Sequence, residues 1–163
     1  MSSSMNTYER LFGAGPRGIL ISGVLLAVAW KLEPLSGLPK ITDSDLLRWI
    51  VFSLSIAGAL ALAIWSMISL PPDKRGAALV TTGAYRYLRH PIYATLVSCF
   101  HFGLAILLDN WIYLLWAVIT YGIWHWNIAS EERLMRRAFP NEYEAYCKKT
   151  GRFIPRLQSF RHR

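Results

Sequence analysis

The chain has few cysteines and few charged residues for its length of 163, and each scarcity excludes a class of site. Its two cysteines, Cys99 and Cys147, lie in neither a C-x-x-C nor a histidine-spaced arrangement. The spacing therefore predicts no metal site and no disulfide framework. Charged side chains make up only 17% of the sequence, and no internal repeat is visible.

The scarce charges leave three long apolar stretches uninterrupted. Hydrophobic residues make up 53% of the chain, and residues 49–72, 91–108 and 110–130 contain no Asp, Glu, Lys or Arg. An apolar helix of about 20 residues crosses the hydrocarbon core of a bilayer, which is about 30 Å thick. A soluble all-helical domain would instead need three core helices that are apolar all round. We therefore predict membrane-spanning helices.

A shorter apolar stretch, 18–30, lies between Arg17 and Lys31, whose long side chains can reach the two interfaces. The sequence KLEP that begins at Lys31 is a poor cleavage site for a signal peptide. We predict one all-α domain over 1–163, a polytopic membrane protein with four transmembrane helices and a cytoplasmic C-terminal helical segment. The predicted spans are 18–32, 49–70, 91–108 and 110–130, followed by the tail 131–163.

Basic residues are distributed unevenly around these spans. Of 18 lysine and arginine residues, 15 fall on the side of both termini, and Lys31, Lys40 and Arg48 fall on the other. Because cytoplasmic loops carry the excess of Lys and Arg, both termini are predicted to be cytoplasmic. Topology, with contact between the basic tail and anionic lipids, accounts for the net charge of +8. No nucleic-acid partner is therefore predicted.

The sequence GAGPRG at 13–18 matches the G-x-G-x-x-G pattern of dinucleotide sites. That pattern indicates a nucleotide site only between a strand and a helix, with an acidic residue about 20 positions later. Here a membrane helix follows and no strand precedes it. We interpret the glycines as a flexible entry to the first span.

Two polar sequences lie at the same predicted membrane face, one before the third span and one after the fourth. Pro91 suits the first turn of a helix, whose free N–H groups favour an anion, and His90 lies beside it. Glu131 and Glu132 end the fourth span, where carboxylates oppose both the helix dipole and the anionic leaflet. These sequences indicate either a ligand site or an interfacial anchor with a continued helix, stabilised by a Glu132–Arg136 pair.

Two histidines lie within the predicted spans. His125 is seven residues before Glu132 on the same helix face, whereas His101 lies closer to the opposite membrane face. Ionisable groups inside a membrane suggest a function. Because Trp124 and Trp126 flank His125, neutral packing is the favoured interpretation of both histidines.

The order and spacing of these motifs resemble the isoprenylcysteine carboxyl methyltransferases and the phospholipid methyltransferases, a family of integral membrane enzymes. The resemblance covers about residues 79–155, nearly half of the chain. It is carried by LVTTGAYRYLRHPIY at 79–93, EExxM at 131–135, FxxEYxxY at 139–146 and RFIP at 152–155.

The resemblance implies that S-adenosylmethionine binds at the cytoplasmic ends of the last two spans, without a dinucleotide-binding domain. Tyr143 and Tyr146 would form a lid that excludes water. Glu132 or His125 would be the base if the methyl acceptor is an amine. The cofactor-binding residues carried over by position are Leu79, Val80, Tyr85, His90, Pro91, Ile92, Tyr93 and Glu131.

The chain departs from the family pattern at two positions. Thr95 stands where the family commonly has Gly. Asn127 stands one helical turn before Glu131, where the family has an Arg associated with the substrate. Asn127 is therefore the candidate substrate-binding residue, although Asn does not pair with a carboxylate by charge as Arg does. Arg89 and Arg133 are the candidates to replace that charge.

The predicted function is methyl transfer from S-adenosylmethionine to a lipophilic acceptor, with an isoprenylcysteine-type carboxylate as the first choice. One alternative is a phospholipid or other lipid-amine N-methyltransferase. A second is a sterol-reductase-like membrane fold with a nicotinamide cofactor, and a third is a non-catalytic membrane interaction protein. The predicted partners are the lipophilic acceptor and membrane lipids.

Overall fold

The computed structural model describes residues 14–71 and 78–157, and this part of the chain is all-helical, as predicted. A short 3₁₀ turn, Gly83–Arg86, lies between the second and third helices. The helices are α1 Gly15–Ser36, α2 Asp45–Ser69, α3 Pro91–Leu108, α4 Trp111–Asn127, α5 Ala129–Ala138 and α6 Pro140–Lys149. Gly13 of the glycine-rich pattern and five of the counted basic residues lie outside the described part: Arg10, Lys74, Arg75, Arg161 and Arg163.

In the described residues, α1, α2 and α3 are long and apolar enough to cross a membrane. Helix α1 is longer than the predicted span 18–32 because it continues through Pro34 to Ser36. Gly37 caps its end with a positive φ of 62°, which suits glycine. The predicted span 110–130 is divided at Ile128. Its membrane part, α4, has 17 residues, or about 25 Å of helix. The fourth span therefore stays a prediction.

Helices α3 and α4 form an antiparallel hairpin. Asp109 ends α3 with a φ of 58°, and Asn110 caps α4 by accepting the N–H of Ile112 at 2.9 Å. Asp109 also accepts the N–H groups of Ile41 and Thr42 at 3.1 and 3.0 Å. These bonds attach the α1–α2 loop to the hairpin. We call this the turn end of the helical bundle.

The opposite end, which we call the site end, is formed where the start of α1 packs against α4. The indole of Trp124 is fully buried, and its Nε1–H donates to Ser22 Oγ at 3.0 Å. An added Cβ at Gly18 would lie 2.5 Å from the Trp124 ring, so glycine allows this close approach. The first turns of α1 are therefore fixed beside the last turn of α4.

The segment that follows α6 returns to the start of α3. The N–H of Arg89 donates to the Gly151 carbonyl at 2.7 Å, and the N–H of His90 donates to the Arg152 carbonyl at 3.1 Å. Residues far apart in sequence are thereby joined at the site end. This return brings Arg152 to the glutamates at the start of α5.

Candidate active site

Two adjacent glutamates in the first turn of α5 are at the centre of the site end. The helix is interrupted at Ile128, between α4 and α5, and Glu131 and Glu132 follow this interruption. The side chain of Glu131 is 26% exposed, whereas that of Glu132 is 0% exposed. The two carboxylates also have different partners, and we describe them in turn.

Glu132 is surrounded by cationic side chains. Arg152 donates to it from Nη2 at 2.6 Å and from Nε at 3.1 Å, and Arg89 Nε donates at 3.0 Å. Arg136 Nη1 lies further away, at 3.9 Å. Burial alone would raise the pKa of Glu132, but the neighbouring His90, Arg152 and Arg89 outweigh it and hold this pKa well below its usual range. Glu132 is therefore ionised at neutral pH.

The buried guanidinium of Arg89 also caps the C-terminal end of α6. Its Nη1 donates to the carbonyl oxygen of Cys147 at 3.3 Å and to that of Thr150. The last carbonyl groups of a helix have no partner within the helix, and a cation is favoured beside them. Arg89 therefore joins the start of α3 to both α5 and α6.

Glu131 is held mainly by neutral donors. The hydroxyl of Tyr93 donates to Glu131 Oε1 at 2.9 Å, and the backbone N–H of Ala14 donates to the same oxygen. On the other oxygen, His90 Nδ1 lies 3.7 Å from Glu131 Oε2. The buried His90 Nε2 lies 3.5 Å from Glu132 Oε1 and has no hydrogen-bond partner in the described residues. His90 therefore lies between the two carboxylates.

His125 and Asn127, in the last turn of α4, contact different segments. Arg152 Nη1 lies 3.1 Å from His125 Nδ1 and donates to the His125 carbonyl at 3.3 Å. One guanidinium thus contacts both His125 and Glu132. Asn127 is 4% exposed, and its Nδ2 donates to the Ala14 carbonyl at 2.8 Å.

Tyr146 of α6 contacts the turn that precedes α3. The hydroxyl of Tyr146 donates to the Tyr85 carbonyl at 2.5 Å, and both Tyr146 and Tyr143 are buried. Burial, with the nearby Tyr143, raises the pKa of Tyr146, so its hydroxyl stays protonated and remains a donor. Of the two predicted lid residues, Tyr146 therefore lies beside the predicted cofactor residue Tyr85, and Tyr143 packs against Tyr146 with ring centroids 6.0 Å apart. Their role as a lid stays a prediction.

Thr95, one of the departures from the family pattern, begins a π-helical segment inside α3, Thr95–Phe100. Its Oγ1 donates to the Ile92 carbonyl at 2.7 Å, and Ser98 Oγ donates to the Phe153 carbonyl at 3.1 Å. Widened turns of this kind occur frequently at functional sites. Here the widened turn bonds to the C-terminal segment that carries Arg152.

The other predicted residues lie outside this polar network. His101 packs against Trp116 with ring centroids 4.7 Å apart, and its Nδ1 lies 3.3 Å from Thr120 Oγ1. This placement agrees with the packing interpretation of His101. Among the predicted cofactor residues, the following have side chains without a polar group that could bind the two glutamates: Leu79, Val80, Pro91 and Ile92.

Three groups of the site had no assigned role in the sequence predictions: the guanidinium of Arg152, the contact of Arg89 with Glu132, and the backbone of Ala14. Both arginines lie within sequences that carry the family resemblance, which was the available signal. Ala14 contributes only backbone groups, so no side-chain pattern indicates it. Arg89 is bound to Glu132 and Arg133 is exposed, so neither contacts Asn127 in the described hydrogen bonds.

Among residues 14–71 and 78–157, no group of three or more His, Cys, Asp or Glu side chains is placed to hold a metal ion. The polar network is instead made of two carboxylates, arginines, histidines and a tyrosine hydroxyl. Such a set suits an organic ligand that carries both a positive and a negative group.

A known protein family matches this chain over a segment that includes the start of α3 and the two glutamates of α5. The phospholipid methyltransferase family matches residues 46–142, which is more than half of the chain. The nickel-cobalt-cadmium resistance protein NccN of Alcaligenes xylosoxydans xylosoxydans is 31% identical over 123 residues, which cover 69% of this chain and 55% of that protein. The match thus spans about half of that relative, and no solved structure matches the chain significantly. With its three apolar helices, this chain is a membrane protein, and it belongs to the phospholipid methyltransferase family of membrane methyltransferases.

Proposed function

We propose that the protein transfers a methyl group from S-adenosylmethionine to a lipophilic carboxylate of the isoprenylcysteine type. Membership of a methyltransferase family supports methyl transfer. We also propose that the site end faces the cytoplasm in a four-span topology with both termini on that side, because most of the basic residues lie there.

The polar groups of the site end fit the amino-acid part of S-adenosylmethionine, which carries a carboxylate and an ammonium group. Glu131 is the carboxylate available to a ligand, because its side chain is partly exposed while Glu132 is fully buried. We assign to Glu131 the ammonium group or a ribose hydroxyl. His90, the residue before the first turn of α3, is assigned to the carboxylate.

The choice of acceptor rests on one observation: Arg152 contacts both residues that could serve as a base. Glu132 is ionised, its pKa is lowered, and two guanidinium groups bind it, so it is a weak base. His125 Nδ1 faces the same Arg152 guanidinium at 3.1 Å. An amine acceptor must lose a proton to a base, whereas a carboxylate is already ionised at neutral pH. The arrangement therefore supports a carboxylate acceptor.

In the proposed reaction, the carboxylate oxygen of the acceptor forms a bond to the methyl carbon while the carbon–sulfur bond breaks toward sulfur. The bound cofactor supplies the sulfonium that makes this methyl group reactive. The residues of the site orient the reactants and exclude water, and no side chain has to accept a proton. Alignment of the reacting atoms in a dry site accounts for most of the expected rate enhancement.

The experiment supplies the full chain in lipid nanodiscs with methyl-labelled cofactor and either a farnesylcysteine-type carboxylate or phosphatidylethanolamine. We expect label in the carboxylate product, as a methyl ester that base hydrolyses, and little label in the amine lipid. Glu131→Gln, which should bind the cofactor weakly, is the matched control. Label in the amine lipid alone would exclude the proposed acceptor. Absence of both labelling and binding of S-adenosylhomocysteine would exclude the methyltransferase proposal.

A further inference from the structure

The start of α1 contributes to the site although it lies outside the family match at 46–142. The two backbone groups of Ala14 face two different elements. Its N–H donates to Glu131 Oε1, and its carbonyl accepts from Asn127 Nδ2 at 2.8 Å. Ala14 therefore joins the last residue of α4 to the partly exposed glutamate of α5.

This connection is buried and close-packed. Ala14 and Asn127 are 8% and 4% exposed. The Ala14 carbonyl also accepts the N–H of Gly18, and this hydrogen bond is the first of helix α1. Gly18 itself lies against Trp124, and an added Cβ at Gly15 would lie 3.5 Å from the Tyr93 ring. Asn127 thus binds the first turn of α1 at a point where no space separates α1 from α3 and α4.

The position of Ala14 also decides the orientation of the Glu131 carboxylate. Oε1 accepts from Ala14 N–H and from the hydroxyl of Tyr93, which come from two different helices. These two donors leave Oε2 directed toward His90, at 3.7 Å from Nδ1. If the Ala14 donor moves, Tyr93 alone does not fix the rotation of the carboxylate.

We infer that Asn127 is a positioning residue: it holds Ala14 so that the Ala14 N–H orients Glu131 for the cofactor. This inference rests on the proposed function, because Glu131 is the carboxylate assigned to S-adenosylmethionine. It gives Asn127 a role different from the substrate contact that its place in the sequence suggests. It also makes α1 a part of the cofactor site.

The test uses Asn127→Ala and a matched control, Asn110→Ala, both in the full chain in nanodiscs. Asn110 is also a buried asparagine whose Nδ2 donates to a carbonyl, that of Leu38 at 3.1 Å, but it lies at the turn end. Calorimetric titration with S-adenosylhomocysteine should show affinity reduced roughly three- to tenfold in Asn127→Ala, the effect of one hydrogen bond. Asn110→Ala should bind as the wild type does.

Hydrogen exchange of residues 14–22 provides a second measurement that needs no cofactor. We expect faster exchange there in Asn127→Ala and no change in Asn110→Ala. A residue that only contacts the methyl acceptor would change the KM for that acceptor and leave both cofactor affinity and exchange unchanged.

The outcomes separate the two proposals. Wild-type affinity in Asn127→Ala, or an equal loss of affinity in Asn110→Ala, would overturn the positioning role. A wild-type protein that does not bind S-adenosylhomocysteine would overturn the proposed function and the positioning role with it. Exchange would still decide whether Asn127 anchors Ala14, and unchanged exchange in Asn127→Ala would overturn the anchor.

Discussion

The two ends of the bundle each bury a carboxylate, but the partners of these carboxylates differ in kind. At the turn end, Asp109 is 4% exposed and accepts two backbone N–H groups, with Arg48 Nη1 at 3.3 Å from its other oxygen. At the site end, Glu132 is 0% exposed and is bound by the side chains of Arg89 and Arg152. One carboxylate is satisfied largely by backbone, the other by cations.

This difference distinguishes the end that fixes the α1–α2 loop from the end that carries the candidate site. Backbone N–H groups are neutral, so they fix the loop on the hairpin without adding charge. The two arginines bound to Glu132 come from the start of α3 and from the C-terminal segment. A buried charge network of this kind contributes little net stability by itself. Its place next to a partly exposed carboxylate agrees with a role in holding a charged ligand.

The largest effect should follow Glu132→Ala, which leaves the guanidinium of Arg89 buried without its carboxylate. Removal of one partner of a buried ion pair destabilises proteins by about 3–5 kcal/mol. We expect a loss of this size in the free energy of unfolding, measured by denaturant titration in detergent micelles. A loss below about 1 kcal/mol would show that the site-end network behaves as an exposed one.

Acidification tests the same carboxylate by removing its charge. Folding lowers the pKa of Glu132, so its contribution to stability is complete above its unfolded pKa of about 4.3. This contribution is lost as the pH falls below that value toward the folded pKa. The difference in stability between wild type and Glu132→Ala should therefore shrink in acid. A stability difference that grows as the pH falls from roughly 5 to roughly 3 would contradict a lowered pKa for Glu132.

Glu131→Gln should weaken binding of S-adenosylhomocysteine rather than stability. The Gln carbonyl can still accept from Tyr93 and Ala14, so the substitution removes the charge and keeps the hydrogen bonds. Loss of a charged hydrogen-bond partner corresponds to about 1.5–3 kcal/mol, roughly a 10- to 150-fold change in affinity. Calorimetric titration measures this change. Wild-type affinity in Glu131→Gln would remove this residue from the proposed cofactor site.

The comparison of the two ends also shows what the sequence predicts well. The turn end could be predicted from local patterns, because a long apolar run stops at Asp109 and Asn110 and resumes at once. The convergence of His90, Tyr93 and the glutamates followed from helix length and the family resemblance. By contrast, nothing in the local pattern at Ile128 indicates the break between α4 and α5.

The missing parts of the site depend on long-range docking. Arg152 reaches Glu132 because the segment after α6 pairs with residues at the start of α3, which no periodicity indicates. Ala14 reaches Glu131 because Gly18 lets α1 approach Trp124 closely. Such contacts depend on tertiary packing, whereas apolar length and helix signals report only on each segment.

Asp109→Asn removes one negative charge at the turn end, as Glu131→Gln does at the site end. It should leave the proposed cofactor site unaffected. Asn tolerates the positive φ of 58° at this position and retains an acceptor for Ile41 and Thr42. The loss is the ion pair with Arg48, so we expect a decrease of about 1 kcal/mol in unfolding free energy. Affinity for S-adenosylhomocysteine should equal that of the wild type. A loss of affinity matching that of Glu131→Gln would show that the two ends are coupled.

The smallest effect should follow Glu144→Ala, at the exposed ion pair that joins α5 to α6. Arg136 Nε lies 2.6 Å from Glu144 Oε1, which equals the distance between Arg152 Nη2 and Glu132 Oε2. The Arg136 and Glu144 side chains are 41% and 53% exposed, however, so water solvates both charges when the pair is broken. Exposed pairs contribute about 0.2–1 kcal/mol, and salt screens them. We expect Glu144→Ala to lower the free energy of unfolding by no more than about 0.5 kcal/mol, and less at high ionic strength.

Denaturant titrations of Glu144→Ala and Glu132→Ala, run side by side, show whether burial or distance decides the strength of these ion pairs. If burial decides the strength of these pairs, Glu144→Ala is much the less destabilising of the two; if distance decides it, the Arg136–Glu144 pair contributes as much as the equally close Arg152–Glu132 pair, and the loss in Glu144→Ala exceeds the range of exposed pairs.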